Sequence, residues 1–238
     1  MDAYTTRARI IPGLLAALPV AVTVYAWKPG DLLDWNSLGA MIAAFGGTIL
    51  LAFIARDLGK AAEDRLYKKW GGRPTELLMM HSGPVDPALR ARRHAALRVL
   101  FPDVPVPTAA EEVEDREAAY QRFATFTTLI ITRYRLMKDK FPLVFEENCN
   151  YGFRRNIYGL WWIGLGVSAF SSTALGLQLI TICAGHEHVP VVAIGLESVN
   201  VLMLIVWIFW INEMTVRRGA DLYAARLFET LDAPDLAP

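Results

Sequence analysis

Cysteine and histidine are scarce in this chain, and their scarcity limits the chemistry that it can carry. The 238 residues include two cysteines and four histidines. Cys149 and Cys183 are too few for a disulfide framework. His81 and His94 stand thirteen residues apart and have no paired cysteines, so they do not form a zinc motif. We therefore expect no bound metal ion and no other cofactor.

The chain also lacks the motifs that usually reveal an enzyme or a nucleic-acid-binding protein. It contains no phosphate-binding P-loop, dinucleotide-binding glycine fingerprint, nucleophile elbow or zinc-protease signature. Lysine and arginine together equal aspartate and glutamate, 24 against 24, so the net charge is zero. An excess of positive charge is typical of nucleic-acid binding. We therefore assign no catalytic residue and expect no nucleic-acid partner.

Four long apolar segments are the clearest positive feature of the sequence, of which 54% is hydrophobic. They run approximately over Arg9–Trp27, Ser37–Ile54, Ile157–Cys183 and Val189–Ile211. A helix rises about 1.5 Å per residue, so about 20 apolar residues cross a hydrocarbon layer of roughly 30 Å. The segments predict four membrane-spanning helices arranged as two hairpins.

The polar sequence between the hairpins predicts a helical domain, because no strand-like alternation of useful length is present. We divide the chain into a membrane hairpin at 1–54, a helical domain at 55–156, a second hairpin at 157–211 and a tail at 212–238. The expected fold is all-α: an integral membrane four-helix bundle with a helical domain between spans two and three.

One helix of this domain has a clear start. Thr108 and Glu111 form the pattern of a capping box, in which each residue satisfies a backbone N–H group at the beginning of a helix. The pattern predicts a long helix that begins after Thr108 and runs to about Lys140.

The distribution of positive charge predicts the orientation in the membrane. Lysine and arginine accumulate on the cytoplasmic side of membrane proteins. The connection 184–188 carries neither residue. Arginines adjoin the opposite ends of the segments, at positions 7, 9, 154, 155, 217 and 218. Both chain termini and the helical domain are therefore expected to be cytoplasmic.

Small residues recur at every fourth position in two of the apolar segments. One row is Gly39, Ala43 and Gly47, and the other is Gly164, Ser168, Ser172 and Gly176. Residues at this spacing share a helix face, and small side chains let helices approach closely in a membrane. The rows predict helix packing, either within one bundle or between copies of the chain in a homo-oligomer.

Polar residues inside the second hairpin form a candidate site within the membrane. Glu197 lies about eight residues, or about 12 Å, into the fourth segment, and Asn200 follows it by about one turn. Gln178 is able to reach Glu197 if the two helices are antiparallel. A charge at this depth is costly and has to face the bundle or water. Two interpretations stay open: a polar pathway or proton-titrating site, and a neutral Glu197 that bonds Gln178 or a hydroxyl group for structure only.

A second polar group precedes the third segment. It comprises Glu146, Glu147, Asn148, Arg154 and Arg155. Paired carboxylates are able to act as acid and base, and two guanidinium groups are able to hold a phosphate. A plain linker with topology-setting arginines fits the same residues. We treat the group as a candidate binding site for a ligand or partner and leave the linker interpretation open.

Two stretches of the chain resemble an uncharacterised family of bacterial four-span membrane proteins. They are Trp70–Thr75 and Phe145–Asn156, which lie between the two hairpins. The resemblance implies a multi-pass protein of the bacterial inner membrane and brings no function with it. Small multi-span antiphage effectors, which permeabilise that membrane, share the architecture without sharing a motif.

Three hypotheses for function follow. The first is a non-enzymatic protein whose cytoplasmic domain senses a signal or a protein partner and whose bundle responds, as an oligomeric pore or a membrane-perturbing effector in stress or antiphage defence. The second is a membrane-bound enzyme that acts on lipid or nucleotide phosphates at the group from Glu146 to Arg155. The third is a passive scaffold. In all three, membrane lipids surround the protein.

Overall fold

The computed structural model describes residues 2–27 and 38–232, and it describes the side chains of the second range from Gly47 onward. All regular structure in these ranges is helical, which confirms the expected all-α class. The helices are α1 (Ala3–Thr5), α2 (Ile11–Trp27), α3 (Leu38–Trp70), α4 (Pro74–Met79), α5 (Pro87–Leu100), α6 (Ala109–Glu114), α7 (Arg116–Leu136), α8 (Pro142–Gly159), α9 (Trp161–Ala184), α10 (Val191–Ile205) and α11 (Glu213–Asp232).

The chain divides into two compact units. The first, here called the apolar unit, comprises Met1–Asp64 and Gly152–Val216. The second, the polar unit, comprises Arg65–Tyr151 and Arg217–Pro238. These boundaries lie inside α3, α8 and α11, and not at the positions 54/55 and 156/157 that the sequence predicts.

The apolar unit contains three helical segments, within the described residues, that are long and apolar enough to cross a membrane. They are Ala3–Trp27, Trp161–Ala184 and Val191–Trp210. The first joins α1 and α2 through a π-helical turn, and the third joins α10 to another such turn at Val206–Trp210. Three of the four expected spans thus correspond to helices of sufficient length and hydropathy.

The remaining expected span, Ser37–Ile54, corresponds to the beginning of α3. Ser37 lies outside the described residues, and so do the side chains of this helix before Gly47. After Gly47, the part of α3 that belongs to the apolar unit packs against α2, because Leu51 approaches Gly13, and Ala55 is fully buried. The four-span arrangement therefore stays a prediction.

The apolar unit has a hydrophobic core to which several of its segments contribute. Six buried side chains form this cluster, and they come from α2, α3, α8, the residue between α8 and α9 and the segment after α10: Ala16, Ala55, Ile157, Leu160, Trp207 and Ile211. The indole nitrogen Nε1 of Trp161 donates to the Trp207 carbonyl oxygen at 2.7 Å.

The polar unit has its own hydrophobic core, which α4, α5, α7, α8 and α11 surround. The expected capping box is present, since Thr108 Oγ1 accepts from the Glu111 N–H while Glu111 accepts from the Thr108 N–H. The expected long helix is interrupted, however. Asp115 ends α6 and its carboxylate accepts from the Ala118 N–H at 2.9 Å, so that it caps α7 as a new helix.

The C-terminal segment is the second difference from the expected organisation. The sequence predicts a tail at 212–238, whereas α11 from Arg217 onward belongs to the polar unit. Leu227, Phe228 and Leu231 of this helix are buried in its core. Their spacing of one, three and four residues is the helical periodicity that marks a buried face.

Candidate functional site

The candidate site lies in the apolar unit, where α2, α9 and α10 pack against one another. Each of these helices contributes polar groups to a contact surface that is otherwise apolar. A polar atom that leaves water without gaining a hydrogen bond costs free energy, so the partners of each group decide what it can do.

Among the described residues of this contact surface, Glu197 on α10 is the ionisable one. Ser172 Oγ of α9 donates to Glu197 Oε1 at 2.5 Å. The second carboxylate oxygen, Oε2, is buried and has no hydrogen-bond partner in the described part of the chain. One half of the carboxyl group is therefore satisfied by protein and the other half is not.

A second set of polar groups lies about one helical turn away. Asn200 Nδ2 donates to Thr23 Oγ1 at 3.1 Å, and Thr23 Oγ1 in turn lies 3.5 Å from the Ser171 carbonyl oxygen. All three residues are buried. Asn200 Oδ1, and also Ser168 Oγ of α9, are buried without a partner among the described residues. Thr23 was not predicted, although it is one of the few polar residues in the first apolar segment.

Gln178 does not bind Glu197, which is one of the contacts that the sequence suggests for it. Its Oε1 is buried without a hydrogen-bond partner in the described residues, while the hydroxyl group of Ser172 binds Glu197 instead. Of the two structural partners considered for Glu197, an amide or a hydroxyl group, the structure has the hydroxyl group.

The row of small residues on α9 faces α10 of the same chain. A Cβ atom at Gly164 would overlap the Trp207 ring, and one at Gly176 would lie 3.8 Å from Glu197 Oε1. Ser168 is fully buried between these positions. The row therefore provides room for α10 and places Ser172 against the carboxyl group.

The row on α3 is described only in part. Gly39 and Ala43 precede the first described side chain of this helix. Gly47 has open space around it, with no atom within 4 Å of a Cβ built there. The described residues thus give no partner for this row.

A groove of 310 Å³ opens beside Glu197 on the surface of α9 and α10. Glu197 and Ser198 are its polar lining residues, and the others are leucine, isoleucine and valine side chains. Leu202, on the wall of the groove, is 58% exposed. The carboxyl group consequently lies between a polar interior and an apolar outer face.

Charged residues form a separate buried contact at the end of the apolar unit. Arg155 Nη1 on α8 donates to Glu63 Oε1 on α3 at 3.0 Å, and Arg155 Nε donates to Asn156 Oδ1 at 3.1 Å. Asn156 Nδ2 donates to the Ala8 carbonyl oxygen. Lys60 approaches the other oxygen of Glu63 from the exposed side. We call Glu63, Arg155 and Asn156 the buried polar contact.

The predicted group from Glu146 to Arg155 does not converge on one point. Glu146 is exposed, and Glu147 accepts a hydrogen bond of 3.4 Å from Asn150. Arg154 donates to the Thr215 carbonyl oxygen at 3.1 Å, and Arg155 binds Glu63. Asn148 is half-buried on the same helix, in the polar unit, whereas both arginines belong to the apolar unit.

Glu63 was missed because nothing in the local sequence separates it from its charged neighbours. Lys60, Glu63 and Asp64 follow one another in a helix of alternating charge, which usually indicates an exposed face. Its partner lies 92 residues further along the chain.

Metal binding and similarity to known proteins give no further assignment. Within the described residues, no group of three or more histidine, cysteine, aspartate or glutamate side chains is placed to hold a metal ion. Comparison with models of protein families, with curated proteins and with solved structures finds no match for this chain.

Proposed function

We propose that this chain is a non-enzymatic, four-span protein of a bacterial inner membrane, with cytoplasmic termini, whose bundle lets protons or small ions pass when the polar unit receives a signal. One observation carries the proposal. The Glu197 carboxyl group lies between apolar helices with one oxygen bonded to Ser172 and the other buried without a partner.

If the carboxyl group had only a structural role, we would expect both of its oxygens to be hydrogen-bonded. A buried polar atom without a hydrogen-bond partner in a membrane costs more free energy than one hydrogen bond contributes. Here the acceptor atoms Glu197 Oε2, Asn200 Oδ1 and Ser168 Oγ are all left without partners in the described residues. Unpartnered acceptors on the packed helices α9 and α10 favour a proton, water or a small cation as a transient occupant. A route through this region is consistent with the groove at Glu197.

The outer face of α9 and α10 supports assembly from several copies. Ile194, Leu202 and Ile205 are exposed around the groove in a single chain. A carboxyl group that opens toward such a face is costly beside lipid chains, and a second copy is able to cover it. We therefore propose a homo-oligomer in which Glu197 lines a shared interior.

The connections between the two units support transmission of a signal. Both units share α3, α8 and α11, and each of these helices is continuous across the boundary. Helices transmit displacement better than flexible linkers because their backbone is held by internal hydrogen bonds. The signal itself is proposed to be a ligand or protein partner of the polar unit.

The enzyme hypothesis receives less support from the geometry. Acid–base work requires carboxyl groups that converge on a reacting atom. Glu146 is exposed and Arg155 is engaged by Glu63, so the residues proposed for it do not assemble a pocket. The experiment described next also tests the third hypothesis, a passive scaffold.

The proposal is tested by inducing the chain in bacterial cells and following the membrane potential and the entry of an impermeant dye. We expect depolarisation by the wild type and its loss in Glu197→Gln, which removes the titratable group and keeps its shape. Glu187→Gln is the matched control, since Glu187 is exposed after the end of α9. Equal depolarisation by all three chains would refute the role of Glu197, and none from any would favour the scaffold.

A further inference from the structure

We propose that the polar unit contains a binding groove for an anionic amphiphile, a molecule with one acyl chain and an acidic head group. This inference goes beyond the proposed function, because binding is expected whether or not the apolar unit conducts. It assigns the polar unit a ligand of defined chemistry and rests on a groove formed entirely within that unit.

The groove has the size and lining of a ligand site. Its volume is 640 Å³, and it lies between α11 and the segment formed by α4 with the loop after it. Leu77 and Leu78 line one side, and Leu222 and Ala225 line the other. Sites for small molecules commonly measure about 300–1,000 Å³ and are mainly apolar with a few polar groups. The central part of the groove therefore suits an acyl chain.

Leu222 indicates that the groove is not part of the core. It is 47% exposed, although it belongs to a helix whose opposite face is well packed. Phe228 and Leu227 of the same helix are fully buried in the core of the polar unit. The apolar face that Leu222 presents to the groove is therefore available to an apolar ligand.

The charged residues of the groove indicate the sign of the ligand's charge. Arg217 and Arg218 both line it, together with one carboxylate, Asp221. Arg217 Nε lies 3.0 Å from Asp221 Oδ1, and its guanidinium group lies 4.9 Å from the centre of the Trp70 ring. These contacts hold Arg217 in place. Two guanidinium groups therefore line the groove, and each has several N–H donors with which it is able to bind the oxygens of an acidic head group.

The position of these arginines in the sequence favours a membrane-derived ligand over a water-soluble one. Arg217 and Arg218 follow Trp210, the end of the last apolar segment, by seven and eight residues. Basic residues close to a span attract anionic lipids on the cytoplasmic side. Fatty acids and single-chain anionic lipids released in that leaflet have the required acyl chain and acidic group.

The test uses the full chain in nanodiscs of zwitterionic phosphatidylcholine and a dansyl-labelled undecanoic acid as the probe. Fluorescence above that of empty nanodiscs measures binding, and palmitic acid is the competitor. We expect saturable binding by the wild type and an affinity at least about tenfold weaker in Leu222→Trp, which fills the groove. Arg218→Gln is expected to weaken binding of the acid and to leave the methyl ester of the probe unaffected.

Leu136→Trp is the matched control, because Leu136 is 85% exposed elsewhere in the polar unit. It is expected to bind the probe like the wild type. Binding that does not saturate, or that is equal in Leu222→Trp and the wild type, would overturn the proposal. So would equal affinity for the acid and its methyl ester, since the arginines would then have no role.

Discussion

Arg155 of α8 donates a hydrogen bond to Glu63 of α3 at 3.0 Å, and the two side chains are 7% and 6% exposed. The next residue, Asn156, donates to the Ala8 carbonyl oxygen in the π-helical turn before α2. Two adjacent residues of α8 therefore bind two other helical segments of the apolar unit. Because these charges are buried, we expect the contact to fix the relative positions of these helical segments.

Removing one partner of the buried polar contact is expected to destabilise the apolar unit. Arg155→Met leaves the Glu63 carboxylate buried with less compensation, and breaking such a pair costs about 3–5 kcal/mol. Lys60→Gln is the control, since Lys60 contacts the same carboxylate but its side chain is 54% exposed, and surface pairs contribute about 0–1 kcal/mol. The free energy of unfolding is measured for the purified wild type and for each of the two variants. Similar losses in the two variants would contradict the structural role of Arg155.

A close crossing of α3 and α8 predicts the effect of a single methyl group. A Cβ atom at Gly159 would lie 2.7 Å from Gly59 Cα, so backbone would have to move to admit it. Gly159→Ala is expected to lower stability by about 1–3 kcal/mol, although alanine favours a helix over glycine. Gly166→Ala on α9 adds the same methyl group where no atom lies within 4 Å, and it is expected to be neutral or slightly stabilising. Thermal unfolding of both variants shows whether each substitution raises or lowers the Tm. Equal changes in Tm would contradict a close crossing of α3 and α8 at Gly159.

The pH dependence of the polar unit is expected to depend on Glu76. This residue is fully buried, and burial raises the pKa of its carboxyl group, while the Thr75 hydroxyl group donates to it at 2.7 Å. Because the folded state holds the proton more tightly than the unfolded state, the contribution of this group to stability is present at low pH. It is lost as the pH rises through the folded-state pKa.

Glu76→Gln is therefore expected to protect α4 at alkaline pH relative to the wild type, with the difference shrinking as the pH falls. Hydrogen exchange of the Leu77 and Met80 amides, which bond within this segment, provides the measurement. The exposed carboxyl group of Glu114 supplies the control variant, Glu114→Gln. If the difference in exchange protection between Glu76→Gln and the wild type grew as the pH fell, the expected direction of the Glu76 pKa shift would be wrong.

The sequence was sufficient to predict the features that depend on local periodicity. Long apolar runs predicted helices long enough to span a membrane, and the Thr108–Glu111 pattern predicted a helix start. The four-residue spacing of small residues on α9 predicted a shared face, because this spacing is a property of one helix alone. The interruption at Asp115 was missed since its side chain is equally compatible with a helix interior near the N-terminus.

Partners on other helices could not be predicted in the same way. Which residue of α9 meets Glu197 depends on the register between two helices, and register is set by bulky contacts such as Trp207 against Gly164. Arg155 likewise binds Glu63 only because two distant helices cross at a glycine. Amphipathic spacing in 213–232 was present in the sequence and would have identified α11 as a packed helix.

Proton flux through the purified full chain in liposomes tests the central claim most directly. A pH-sensitive dye inside the liposomes reports entry of protons under an imposed potassium potential. We expect flux through the wild type and through Glu187→Gln, and a flux at least about tenfold lower through Glu197→Gln. Flux through Glu197→Gln equal to that of the wild type, or no flux above empty liposomes through any chain, would contradict the central claim.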